Sequence, residues 1–366
     1  MKNICFLNTT SFWGGGEKPH LEYALHFSEK NYNVYIAASK DSPLAKRAHE
    51  KNIKLFEIKL NNLSFLNIFK HIKLYRFLKR EKIDTIIVTT SQDVKAAGIT
   101  AKFANIERIV YMRGLAVSVK NSFINRMLFN NILTHIIANS LETKKTMVEN
   151  LNRHKNIDDK VKVIYHGIEL GLFDKQAKEK FPYSEEHKLV IGTAGRLTLQ
   201  KRQSDLIKIA YNLKEKGLKF KMLIAGTGDL KPEIERMIED YKLQQEVVLL
   251  DFVENIPSFM RSIDIFALTS SWEGFGYVLV EAMAASRPVV AYNISSNPEV
   301  IRDTETGFLV DYPNIDMFGE KLEQLITNSS ERIQFGKNAR KLVESNFQID
   351  DKVTELENYL LDKNEA

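Results

Sequence analysis

Along this chain, short apolar stretches rich in Ile and Val alternate with longer segments in which apolar residues recur at helical spacing. In the first half the stretches are Asn3–Leu7, Val34–Ala38, Ile53–Leu60, Ile83–Val88, Arg108–Met112, His135–Ala138 and Val161–Tyr165. After a polar interval they resume as Leu189–Thr193, Met222–Ala225, Val247–Leu250, Ile265–Leu268, Val289–Ala291 and Phe308–Val310. Runs of about four to eight apolar residues alternating with helices mark βαβ units and a parallel sheet buried on both faces. The pattern predicts an α/β chain with two tandem, doubly wound, Rossmann-like domains. The polar interval Gly167–Lys188, which contains Gly171 and Pro182, is the expected linker, placing the domains at 1–168 and 169–346. Residues 347–366 follow as a C-terminal helix, amphipathic through Val353, Leu356, Tyr359 and Leu360, which must lay that face on one of the domains.

Composition narrows the reading. A chain of 366 residues with 44% hydrophobic residues suits two domains, each with its own core. The single cysteine, Cys5, rules out an internal disulfide framework and a Cys-based zinc site, and its apolar neighbours make it a small core residue. Ile4–Leu7 is far shorter than the roughly 7–15 apolar residues of a signal peptide or the about 20 of a spanning helix. The expectation is a soluble cytoplasmic protein, free to sit peripherally on the inner face of the membrane.

The net charge of +5 conceals an asymmetry, for residues 1–170 carry +12 and residues 171–366 carry −7. Much of the excess lies at 70–82, where Lys70, Lys73, Arg76, Lys79, Arg80 and Lys82 face a single Glu81 and are interleaved with Ile72, Leu74, Tyr75, Phe77 and Leu78. Such a basic amphipathic segment fits an anionic membrane surface, or a solvated helix whose apolar side packs on the sheet.

Ligands of open α/β sheets bind beyond the carboxyl ends of the strands, so the loops there hold the candidate chemistry. The first loop carries Gly14, Gly15 and Gly16 before a helix. It is either a close-approach site for a phosphate or sugar at a helix N-terminus or a tight turn, and Glu17 and His20 follow it. The second, Gly195-Arg196-Leu197 through Lys201, offers a fork-shaped guanidinium and a point-charge ammonium that can converge on a diphosphate. Gly226 and Gly228 form a third. The fourth runs Glu273-Gly274-Phe275-Gly276-Tyr277-Val278 into a helix bearing Glu281, with Arg287-Pro288-Val289-Val290-Ala291 beyond. It sets carboxylates that can accept from sugar hydroxyls beside exposed amides that can hold phosphate. No Walker A, H-E-x-x-H, G-x-S-x-G or Asp-x-Asp sequence occurs.

Together these motifs resemble those of the retaining nucleotide-sugar glycosyltransferases of GT-B fold, the group 1 family that builds lipopolysaccharide, capsule and glycolipid sugars. The resemblance covers nearly the whole chain. It implies two Rossmann-like domains facing across a cleft, acceptor-binding first and donor-binding second, with the C-terminal helix crossing back to the first. It implies that a hexose-type sugar moves from a nucleotide-diphosphate sugar to a glycan or lipid-linked acceptor, with retention, without metal or other cofactor, and with no nucleic-acid partner. Arg196 and Lys201 would hold the departing diphosphate and Glu273 the sugar ring, with Glu281 on the ribose. The amides of Gly274, Phe275, Gly276, Tyr277 and Val278 would meet sugar and phosphate; Gly226, Phe252 and Val253 would lie near the donor, and Gly14–Gly16 would face it from the other domain. Two stretches depart from the pattern. Where the family carries a His the chain reads Tyr111-Met112-Arg113-Gly114, making Arg113 a substitute cation, and Ser295-Ser296 replaces a Gly-Gly before Pro298-Glu299. Glu17 and His20 are acceptor candidates, with a helix-surface position the alternative for His20. A nucleotide-sugar epimerase of the same fold and a basic membrane- or nucleic-acid-binding module without catalysis are the competing readings; a module has no need of the Arg196, Lys201, Glu273 and Glu281 set.

Overall fold

The computed structural model describes residues 3–151, 157, 160–175 and 189–361. The expected linker therefore lies outside the described residues from 176 to 188, Pro182 included, and its first part carries a short helix, Leu170–Lys175. The chain divides into two units, one ending at Gly167 and taking in the helix Ile349–Leu361, the other spanning Ile168–Gln348.

The first unit holds seven strands: β1 (Asn3–Leu7), β2 (Asn33–Ala38), β3 (Lys54–Glu57), β4 (Thr85–Val88), β5 (Arg108–Arg113), β6 (His135–Ala138) and β7 (Val161–Val163). They pair in the order β3-β2-β1-β4-β5-β6-β7, every pair parallel. The second unit holds β8 (Leu189–Ala194), β9 (Phe220–Ala225), β10 (Val247–Leu250), β11 (Ile265–Leu268), β12 (Val289–Tyr292) and β13 (Gly307–Val310), in the parallel order β10-β9-β8-β11-β12-β13. Each sheet reverses its winding at one place, between β1 and β4 and between β8 and β11. A doubly wound sheet opens a ligand crevice beyond the strand ends at that switch point.

Helices cover both faces of each sheet, so inner strands read as unbroken apolar runs. Every residue of Thr85–Val88 and of Ile265–Leu268 is buried. Along β1 the side chains alternate: Cys5 and Leu7 enter the core on one face with Leu74, Phe77 and Leu78, while Ile4 and Phe6 enter the opposite one with Phe27 and Leu44. The second core also receives Ile349, Val353, Leu356 and Leu360, so the amphipathic face of the last helix is covered within the first unit. Lys30 Nζ and Tyr32 Oη hold Glu357 at 2.6 and 2.5 Å, and Arg108 Nε donates to the Leu360 carbonyl at 2.6 Å.

The edge strand β3 is shorter than the apolar run Ile53–Leu60 predicts. Its ladder closes with Ile58 N donating to Ala38 O, after which the chain leaves the sheet although Ile58 and Leu60 remain buried. Among the described residues no helix is long and apolar enough to cross a membrane.

Candidate active site

In the second unit, the loops after β8 and β9 form one body. Gly195 N donates to Ala225 O at 3.0 Å and Leu197 N to Thr227 O at 2.9 Å, extending the β8–β9 ladder past the strand ends. Gly226 and Gly228 permit that approach: a Cβ at Gly226 would stand 2.0 Å from Gly195 O, and one at Gly228 2.3 Å from Leu197 O. These glycines let backbone meet backbone. Arg196 sits exposed between the two contacts, with its carbonyl held by Gln203 Nε2 at 3.0 Å.

Lys201 is clamped from the other side of the switch point. Thr269 Oγ1 donates to the Lys201 and Arg202 carbonyls at 3.1 and 3.0 Å, Ser271 N to Gln200 O at 2.8 Å, and Gln200 Nε2 to Trp272 O at 2.9 Å. The side chain then reaches Glu273, Nζ to Oε1 2.5 Å, in a pair whose side chains keep only 16% and 8% of their exposure. Desolvating two such charges costs several kcal/mol per ion and is repaid only by good geometry, so the pair is weak evidence for stability. Lys201 thus enters the site as one half of an ion pair with Glu273.

Glu273 is fixed in turn by Ser296, whose Oγ lies 3.3 Å from the Glu273 carbonyl and is fully buried. Ser295 takes φ 46° itself, the left-handed conformation a glycine would adopt without strain, so this stretch keeps its turn at a cost of about 1–2 kcal/mol. Gly276, at φ 71°, opens the helix Tyr277–Ala284, whose N-terminus no side chain caps. Backbone donors therefore stand at that end, where the helix dipole favours an anion. Phe275 and Tyr277 are buried and Val278 is partly so, and Phe275 packs edge-on against Phe347. Glu281 lies on the same helix, 5% exposed. Beyond β10, Phe252 is 54% exposed and Val253 partly so, next to a turn that Gly226 N binds through the Leu250 and Asp251 carbonyls at 3.3 and 3.2 Å. Among the described residues no group of three or more His, Cys, Asp or Glu side chains could hold a metal ion.

In the first unit, the loop after β1 is wired by short polar bonds. Thr10 Oγ1 bridges Asn8 Oδ1 and buried Glu17 Oε1 at 2.8 and 3.1 Å, while Thr9 N and Oγ1 donate to Asp93 at 2.9 and 2.5 Å. Gly14, Gly15 and Gly16 have no positive φ, and a Cβ at Gly16 would meet nothing. They leave open backbone at the start of the helix Glu17–Glu29, which also lacks a side-chain cap.

His20, an acceptor candidate with a helix-surface position as its alternative, and Arg113, the substitute cation, are both interior. His20, 1% exposed, packs edge-on against Phe6 because it shares an inward face with Tyr23, Ala24 and Phe27. Arg113, 5% exposed, donates to Tyr111 Oη at 3.0 Å, to Ser91 Oγ at 3.4 Å and to the Val117 carbonyl, so its guanidinium holds the loop after β5. Neither residue is the accessible contact the sequence suggested.

Burial holds the pKa of His20 down at about 3 and those of His135 and His166 at about 4, against an ordinary value near 6.5. Each is neutral when folded and takes a proton on unfolding, so stability is flat above pH 7 and is lost as pH falls from 6.5 toward 4. Each contributes about 1.4 kcal/mol per pH unit there. Burial raises the Asp93 carboxyl, which works in the opposite direction and offsets part of the fall. Melting temperatures between pH 8 and 4 should show the decline, and His20→Leu should make it shallower; a pH-independent melting point would contradict the buried neutral histidines.

Nothing local signals the Gln200–Trp272, Thr269–Lys201 and Ser296–Glu273 contacts in the sequence. The polar trio Thr269-Ser270-Ser271 directly after an apolar strand is the only hint.

Comparison with known proteins identifies the family of the two halves. The family model for glycosyl transferases group 1 matches residues 174–342, and that for Glycosyltransferase Family 4 matches residues 13–172. The chain is 27% identical over 337 residues to the capsular polysaccharide biosynthesis glycosyltransferase CapM of Staphylococcus aureus, covering 87% of each chain. It is 25% identical to the Escherichia coli UDP-Gal:alpha-D-GlcNAc-diphosphoundecaprenol alpha-1,3-galactosyltransferase, covering 82% of this chain and 81% of that one. Among solved structures, Anabaena HepE in complex with UDP and glucose matches with a TM-score of 0.85 at 20% identity, over 98% of this chain and 99% of that one. With both halves matched, the chain belongs to the glycosyltransferases of GT-B fold that join a Family 4 domain to a group 1 domain.

Proposed function

We propose that this glycosyltransferase moves a hexose-type sugar from a nucleotide-diphosphate sugar to a glycan or lipid-linked acceptor in cell-surface polysaccharide synthesis. It does so with retention of anomeric configuration, without a metal, and peripherally at the cytoplasmic face of the membrane. The observation that carries this is the Lys201–Glu273 pair, set beside the Arg196 loop and the uncapped N-terminus at Gly276–Tyr277. A leaving diphosphate needs positive charge where its negative charge develops; Lys201, Arg196 and the helix amides supply it. Glu273 faces the positive charge that grows on the sugar ring as the C1–O bond breaks, and the acceptor hydroxyl attacks from the same face. Glu281 accepts from the ribose, and exposed Phe252 lies against the base. The names of the CapM and galactosyltransferase relatives support the capsule-type, lipid-linked assignment.

The test is a panel of nucleotide sugars with and without a polyprenyl-diphosphate glycan, in the presence of EDTA, followed by NMR of the product anomer. Acceptor-dependent release of nucleoside diphosphate with a retained anomer is expected. Turnover of donor alone into an epimer would replace this reading with the epimerase, and abolition by EDTA would overturn metal independence.

A further inference from the structure

The basic segment at 70–82 is ordered as the helix Ile68–Arg80, and its apolar residues divide between two faces. Leu74, Phe77 and Leu78 enter the core. The residues left outside lie upstream of the basic segment or at its start: Leu63 is 70% exposed, Leu66 72%, Ile68 61% and Phe69 79%, with Ile72 and Tyr75 at 40%.

These side chains are held out rather than frayed. The turn Ser64–Leu66 is pinned by Asn61 N to Ser64 Oγ at 2.8 Å, Leu63 N to Asn61 Oδ1 at 3.1 Å and Lys70 Nζ to Ser64 Oγ at 2.9 Å. Asn67 caps the helix through Lys70 N at 3.1 Å, and His71 ties it to Thr100 Oγ1 at 2.7 Å and to the Phe65 carbonyl at 2.9 Å. Soluble proteins rarely display so many large apolar side chains together without using them.

We infer that Leu63, Leu66, Ile68 and Phe69 form an apolar knob that inserts into an anionic lipid surface, with Lys70, Lys73 and Arg76 as its cationic rim. Charge selects this occupant: residues 61–80 contain no Asp or Glu, so a second copy docking through this same patch would bring cation against cation. An anionic leaflet instead gains about fivefold in partitioning from each cation near its surface. The mode is insertion of one helix end, since the inward face of the helix is already occupied. The inference rests on the membrane-peripheral reading above and deepens it by naming the docking element.

Flotation of the full chain with phosphatidylcholine vesicles, with and without phosphatidylglycerol, tests it. Binding to anionic vesicles at low salt is expected. It should fall tenfold or more in L66D/F69D and about fivefold or more in R76E, with melting unchanged because Leu66, Phe69 and Arg76 are exposed. Acceptor-dependent release of nucleoside diphosphate, measured without vesicles on the same preparations, reports on the transferase reading separately. Failure of the wild type to bind anionic vesicles, or equal binding by L66D/F69D, would overturn the inference. So would a dimer in solution that L66D/F69D dissociates while vesicle binding persists.

Discussion

Lys201→Ala is expected to lower turnover by about 100–1,000-fold, the range set by removing one positioned donor from a developing oxyanion, roughly 2.7–4 kcal/mol. The loss should appear in kcat more than in KM, because the charge that Lys201 meets grows as the diphosphate departs. The same substitution leaves Glu273 with a buried carboxylate and no ammonium, and breaking such a pair costs up to about 3–5 kcal/mol, less here because Lys201 keeps some solvent. Melting and turnover therefore fall together in the single variant and must be separated. Removing both charges, in Lys201→Ala with Glu273→Ala, relieves the unpaired carboxylate and should return stability to within about 1 kcal/mol of the wild type. Turnover should stay low. Arg196→Ala, made at an exposed position, should depress turnover with no matching shift in melting. Recovery of activity in the double variant, measured as nucleoside diphosphate release, would make the pair structural and the leaving-group assignment wrong.

How far the sequence discloses this molecule depends on whether a feature is local. Parallel strands buried on both faces must be apolar throughout, so Thr85–Val88 and Ile265–Leu268 stand out with no help from the rest of the chain. An edge strand has one free side and a ladder that can stop anywhere, which is why Ile53–Leu60 extends past the ordered Lys54–Glu57. The burial of His20 is legible in its spacing; that of Arg113 is not. His20 recurs with Tyr23, Ala24 and Phe27 at helical intervals, whereas Arg113 ends a strand buried at every position, where parity says nothing. The helix Ile68–Arg80 is apolar on both its inward and outward faces, so periodicity alone could not say which face meets the core.

The candidate site divides the same way. Its glycines, Arg196 and Glu273 lie in recognisable strand-to-helix loops, and Glu281 in the helix that follows one of them, so all are legible. The bond that organises it joins Lys201 to a residue 72 positions away, and its supports Thr269, Ser271 and Ser296 act through backbone carbonyls of other loops. Such contacts exist only once β8 and β11 are neighbours.

Gly226→Ala is expected to cost about 3 kcal/mol or more in stability and about 100-fold in turnover. The new Cβ would lie 2.0 Å from Gly195 O and 2.9 Å from Gly195 C, both backbone, so no side chain can swing aside to admit it. Its φ of 142° adds strain of about 1–2 kcal/mol for any residue with a Cβ. The loops must separate, weakening Gly195 N to Ala225 O at 3.0 Å and Leu197 N to Thr227 O at 2.9 Å, each bond worth about 1 kcal/mol. Arg196 lies between those two bonds, and a shift of about 1 Å in a positioned charge is enough for a 100-fold loss. The same contact entered from the other strand should be tolerated. Gly195 has no positive φ, and the atoms nearest its Cβ would be the flexible Lys201 side-chain carbons at 3.5–3.9 Å, so Gly195→Ala should melt within about 1 kcal/mol of the wild type. Calorimetry and turnover on the two variants decide the matter. If Gly226→Ala matches the wild type in both, the β8 and β9 loops are not the rigid body on which the placement of Arg196 depends.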